Sequence, residues 1–148
     1  LGLRVILLPD VARLVSAYLR TVPEVAAIVG DRVYTVFPKQ IGGEPFVLVT
    51  RIGGTPVVGR PRVVERATMQ LDAYGGPIAL AYQLAETCLQ ALAELEGEQP
   101  DELGNVCDVV ALVTHRYVPD ETWKPPRPRY VSDFEVVVKP AAALFAAA

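Results

Sequence analysis

The chain has 148 residues, 51% of them hydrophobic and 21% charged, and a formal net charge of −3. That is enough apolar material for one domain around a single core, and it excludes a disordered tail. No apolar run approaches the roughly 20 residues that cross a bilayer, no signal peptide is expected, and two cysteines with one histidine fall short of a disulfide framework or an all-protein zinc site.

The elements follow in chain order. Pro9 and Asp10 open an amphipathic pattern, Val11, Leu14, Val15, Tyr18, Leu19 and Val22, that predicts a helix over 10–22 packed on something flat. Pro23 starts a second short turn through Ile28, ended by Gly30. Val33–Phe37 is a short strand closed by Pro38, and 39–45 is a glycine-containing loop. Phe46–Ile52 is a strand apolar enough to be central, followed by GGTPVVGRPR (53–62), a projecting arm. Val63–Tyr74 alternates, with Val63, Ala67, Met69, Leu71 and Ala73 on the buried face.

Gly75-Gly76-Pro77 starts the strongest helix, whose apolar stripe runs Ala81, Leu84, Ala85, Cys88, Leu92 and Leu95. Residues 96–105 read as an acidic loop, and Val106–Thr114 as a second buried strand. A long proline-rich arm at about 117–130 precedes a last strand, Tyr130–Val138, and an alanine-rich tail occupies 140–148. The order α-β-β-β-α-β-β predicts an α+β two-layer sandwich in one domain. Its mainly antiparallel sheet has four to five strands, with two helices on one face.

Charge is segregated along this order. Residues 1–66 carry nine Arg or Lys against five acids, residues 67–115 carry eight acids and no Arg or Lys, and residues 116–148 carry five against four. These are either patches of ordinary solvated surface or unlike faces suited to head-to-tail contact with copies of the chain or with different neighbours. The scattered basic residues speak against double-stranded DNA binding as the main activity.

Catalytic constellations are poorly supported. His115 is the only imidazole, and Cys107, eight residues earlier on the same strand, lies over roughly 20 Å away if extended. Cys88 falls in the buried helix stripe. Asp108 and Asp133 sit on the last two strands and could be neighbours, but no third polar partner is expected. The glycines match neither a dinucleotide fingerprint nor a Walker loop. What stands out is the content of the two arms: Arg60 and Arg62 in the first, Trp123, Lys124, Arg127 and Arg129 in the second. Trp and Arg are common anchors at interfaces. Leu144 and Phe145 in the tail either dock on a neighbour or form a free end.

The ordered pieces FVLVTRIGGTP (46–56), QLDAYGG (70–76), ALAYQLAETCLQALAEL (79–95) and THRYVPDETWKPPRPRYVSDFEVVV (114–138) resemble the small tail-terminator or tail-completion proteins of long, non-contractile-tailed bacteriophages. The likeness spans about 30–139. It implies a non-enzymatic virion protein without cofactor. Such a protein is assembled in the host cytoplasm and forms a ring, hexameric in that family, at the head–tail junction.

One rim of that ring would cap the tail tube and stop its polymerisation. The other would meet a neck or head-completion protein, a stopper or adaptor. Genomic double-stranded DNA would pass through the channel without sequence-specific contact, and no membrane is involved. Acidic or neutral groups, Asp72 among them, would suit the channel wall. Residue by residue, Arg51–Pro56 match the family's R-x-G-G-x-P stretch, and Gln70–Tyr74 its Q-x-D-x-Y strand, making Asp72 and Tyr74 wall or interface positions. Arg116, Pro119 and Asp120 match the step into the last hairpin, and Arg129–Phe134 the final R-x-x-x-D-F strand. The alternatives are another ring former of the neck or tail, such as an adaptor or tube subunit, or a small-molecule-binding α+β domain.

Overall fold

A computed structural model describes residues 6–57 and 63–142. Helix α1 spans Val11–Thr21, its N-terminus capped by the Asp10 carboxylate, which accepts from the Arg13 amide at 3.3 Å. It stops at Val22, because a residue before proline is pushed into extended backbone. Pro23 then starts α2, Pro23–Val29, and Gly30 ends it at φ 61. Helix α3, Ile78–Ala93, begins directly after Pro77 and buries Ala81, Leu84, Ala85, Cys88 and Leu92.

The strands are β1 Val33–Tyr34, β2 Phe46–Pro56, β3 Glu65–Tyr74, β4 Gly97–Glu98, β5 Asn105–Tyr117 and β6 Arg129–Lys139. They form one sheet in the order β1-β2-β3-β6-β5-β4, curled into a half-barrel with the helices on one face. Among the described residues only β1 with β2 is parallel; every other pairing is antiparallel. The core lies between sheet and helices. Val47 and Val49, Ala67, Met69 and Leu71, and Phe134, Val136 and Val138 meet Leu14, Leu19, Val25, Leu84 and Leu92.

The α+β class and the one-sided helix layer agree with the sequence reading, but the counts differ. Among the described residues there are three α-helices and six strands, not two helices and four to five strands. The turn at 23–28 is a complete helix because Val25 and Val29, one turn apart, are both buried anchors. The loop at 96–105 contains β4 and a short 3₁₀ turn, Pro100–Glu102.

Boundaries shift too. Strand β2 does not stop at Ile52. A bulge there lets it continue, so Gly53–Pro56 pair with Thr68–Glu65. Gly54, at φ 154, sits where an added Cβ would meet the Arg66 carbonyl at 2.6 Å, so only glycine passes without strain.

The largest correction concerns β5, expected to be buried. Of its residues only Val106 is buried, while Val110, Leu112 and Val113 are 42%, 48% and 40% exposed. The reason is position: among the described residues, this strand past Val106 is the last on its side of the sheet, so its apolar run reflects something other than the core those residues build.

Candidate assembly interface

On the face of the sheet away from the helices, residues 118–128 fold back as a strap. Side-chain alternation puts Val47 and Ala73 in the core, so Phe46 and Tyr74, the neighbouring register pair, point to the opposite face. There the two rings stack at 4.3 Å. The Arg127 guanidinium lies 5.0 Å from the Phe46 ring and 5.0 Å from the Trp123 ring, and donates to the carbonyls of Gly42, at 2.7 Å, and Glu44. These contacts leave Arg127 only 7% exposed. The main chain closes the strap: the Asp120 amide donates to the Arg127 carbonyl at 2.8 Å, and the Arg127 amide returns the bond at 3.1 Å.

Asp120 is the polar centre of this cluster. Its carboxylate accepts from the Thr122 amide and hydroxyl, at 3.1 and 2.7 Å, and from the Tyr74 hydroxyl at 2.9 Å. Burial pushes its pKa up, but the bonds from Thr122 and Tyr74, with Arg129 nearby, outweigh burial and hold it below the usual carboxylate range. Tyr74 is pushed up to about 12, by burial first and by its bond to Asp120 second. Arg129 ties the strap's far end, donating to the Val118 carbonyl at 2.8 Å and the Tyr74 hydroxyl at 3.3 Å.

Beyond the strap, the same face carries paired polar groups: Arg116 with Asp133 (two contacts at 3.2 Å), Arg66 with Glu135 (3.5 Å), and Gln70 donating to Asp72 at 2.9 Å. Asp72 is only 4% exposed. Burial raises its pKa despite Gln70 and Arg129, the latter 3.9 Å away.

One arrangement invites a catalytic reading and fails it. His115 Nδ1 lies 3.0 Å from Ser132 Oγ and its Nε2 2.5 Å from a Glu86 carboxylate oxygen, the three groups of a hydrolytic triad. Ser132, however, is completely buried, so no acyl carbon can approach its oxygen. The cluster ties β5 to β6 and α3. It escaped sequence reasoning because Ser132 reaches His115 through strand register and Glu86 through helix packing, neither of which leaves a spacing signal.

The other chemical candidates also separate. Cys88 is buried, its thiol pushed up to about 12 by desolvation, while Cys107 is exposed. Asp108 stands opposite Val137 and Asp133 opposite Val113, which offsets the two residues by four positions, about 13 Å of backbone along the strands. Among the described residues no group of His, Cys, Asp or Glu is placed to hold a metal ion, and no helix is long and apolar enough to cross a membrane.

The residues named from sequence therefore fall into separate places. Tyr74, Asp120, Trp123, Arg127 and Arg129 are brought together by the strap, and they bind the chain to itself. Tyr74 and Arg127 are buried because Phe46 and the Gly42–Glu44 carbonyls take up their surfaces. Arg116 and Asp72 lie on the polar face, Asp72 under cover rather than lining open solvent. Arg51 pairs with Glu65 at 2.9 Å across the β2–β3 hairpin. Lys124 precedes Pro125 through a cis peptide, beside Trp123. Arg60, Arg62, Leu144 and Phe145 lie outside the described residues.

Sequence reasoning missed the exposed apolar edge formed by Val110, Leu112 and Val113. It also missed the aromatic cluster next to that edge, where Tyr82 and Tyr117 pack on Tyr130 at 5.4 and 5.2 Å. A nine-residue apolar run looks the same whether a core or a second chain covers it.

Comparison with known proteins completes the assignment. No curated protein sequence matches the chain. Among solved structures, a chain from the virion of a native gene transfer agent (GTA) particle shares the fold. Its TM-score is 0.65 and its identity 19%, covering 86% of this chain and 93% of that one. Residues 13–106 match the family described as tail completion protein gp17, a stretch that begins inside α1 and ends at the start of β5. With more than half of its residues inside that match, the chain belongs to the tail completion protein gp17 family, and it is a structural, non-enzymatic component of a bacteriophage-type virion, located at the tail.

Proposed function

We propose that the protein closes into a ring, hexameric as the resemblance implies, that caps the head-proximal end of the tail tube. One rim ends tube polymerisation; the other receives a neck or head-completion protein, and double-stranded DNA passes through the channel. Assembly takes place in the host cytoplasm.

The observation that supports this best is the division of the protomer into unlike surfaces. One sheet face is sealed by helices, the other carries Arg116–Asp133 and Arg66–Glu135 pairs, and the β5 edge is exposed and apolar. On the polar face the arginine charges are neutralised by carboxylates, which suits a wall along which a polyanion slides without sticking. Arg51, Lys124 and Trp123, together with Arg60, Arg62, Leu144 and Phe145, are proposed to contact neighbouring protomers or rings. Tyr74, Asp120, Arg127 and Arg129 act indirectly, by holding the strap in shape.

Adding the protein to polymerising tube subunits from the same particle tests this reading. Tubes shortened in proportion to the amount added, with the protein at one end only, are expected. Unaltered tube length, or long tubes made by this protein alone, would overturn it, the latter in favour of a tube-subunit role.

A further inference from the structure

The sheet has two unfinished edges, and they match. Among the described residues, β1 covers β2 only at Val47 and Leu48, leaving the rest of that strand without a neighbour on its outer side. At the other end, β4 covers β5 only at Asn105 and Val106. We propose that the outer edge of β2 at Arg51–Thr55 in one copy pairs antiparallel with the outer edge of β5 at Asp108–Ala111 in the next, so that one sheet runs unbroken around the ring. This rests on the ring reading above and names the surfaces that would close it.

Four features carry it. First, the register through β3 and β6 puts the two free stretches at the same height: Thr55 is in line with Asp108, Gly53 with Val110, and Arg51 with Ala111. Neither short end strand has to move.

Second, the four long strands β2, β3, β6 and β5 alternate in direction. An even number means that β5 of one copy and β2 of the next, related by rotation about a common axis, are automatically antiparallel.

Third, although β5 carries Asp108 and several bulges, its exposed side chains over the proposed contact are apolar. Val110 is 42% and Leu112 48% exposed, and neither lysine nor proline interrupts the stretch from Asp108 to Leu112. On the facing strand Ile52 is 49% exposed at an adjoining height.

Fourth, the Val109 amide donates to the Asp108 carboxylate at 2.9 Å, next to a bulge in the β5–β6 ladder, so the backbone at the start of the proposed contact is held in part by a side chain. Charge agrees with the pairing, since β2 lies in the basic segment 1–66 and β5 in the acidic segment 67–115.

A disulfide test reads the contact directly. In a Cys107→Ala background, Thr55→Cys with Asp108→Cys should give, on oxidation, a reducible ladder of covalent oligomers ending at the ring. Cys88 is buried and does not take part. Ala111→Pro, which removes a backbone donor from this strand, should weaken ring formation at least tenfold. If that variant fails to fold, Val110→Lys with Leu112→Lys provides the same block at exposed positions. Rings that form without the ladder and survive the edge substitutions would overturn edge pairing while leaving the ring intact. A wild-type chain that stays single with tube and neck proteins present would overturn both.

Discussion

Tyr74, the last residue of β3, donates its phenolic hydrogen to the Asp120 carboxylate at 2.9 Å, and that bond joins the sheet to a strap 46 residues further along the chain. Around it the strap is a second, smaller core on the outer face of the sheet, built from Phe46, Tyr74, Trp123 and the Arg127 guanidinium. Long polar loops are usually disposable; this one is fastened by its own side chains.

Removing the hydroxyl should therefore cost stability. Tyr74→Phe leaves a buried carboxylate oxygen without its donor, and about 1–3 kcal/mol is expected in denaturant unfolding. Arg127→Ala should cost more, because it frees two carbonyls and uncovers the Phe46 ring. As the only tryptophan, Trp123 makes the second experiment visible, and its emission should shift to the red. Unchanged stability in both variants would show that the strap is not fastened this way.

Two carboxylates should respond to pH in opposite senses. The depressed pKa of Asp120 means that its contribution is complete above the ordinary carboxylate value of about 3.9 and is lost as pH falls through the lower, folded-state value. Asp72 is raised, so the fold favours its neutral form, and stability is lost as pH rises from the ordinary value through the raised one. Asp72→Asn should thus raise Tm at pH 7 and give no gain below about pH 3.9. Asp120→Asn should lower Tm at pH 7, with the loss fading in acid. Thermal unfolding across pH checks both signs, and a stabilising Asp120→Asn at neutral pH would contradict the geometry.

The two thiols should differ sharply. A thiol reagent should label Cys107 quickly in the native protein and Cys88 only after unfolding, since burial both blocks the latter and pushes its thiol up to about 12. Fast labelling of both would mean that α3 opens readily from the sheet.

The buried Ser132–His115–Glu86 cluster predicts an absence. A fluorophosphonate probe should leave Ser132 unmodified, and Ser132→Ala should change stability without changing any ester hydrolysis above buffer. Labelling of Ser132 would require an access route that the packed structure does not offer.

Gly54→Ala tests the hairpin. The substitution forces a side chain into φ 154 and against the Arg66 carbonyl, so a loss of about 1–3 kcal/mol is expected. If edge pairing is correct, ring assembly should weaken as well.

Much of this molecule was legible from local pattern. The spacing of Val11, Leu14, Val15 and Leu19, the alternation of Ala67, Met69, Leu71 and Ala73, and the stripe from Ala81 to Leu92 each depend on neighbours within a few positions. Helix period and strand pleat write that information into the order of residues. The family resemblance was legible for the same reason, as an ordered succession of such pieces.

Tertiary structure alone decided which apolar strand is covered and which polar groups meet. Val106–Thr114 reads as buried, yet strand order leaves most of it at an edge, because burial depends on how many layers lie over a strand and not on the strand's composition. Tyr74 with Asp120, and His115 with Ser132 and Glu86, come together across strand register and helix packing. Such contacts join residues distant in sequence, so no local period announces them.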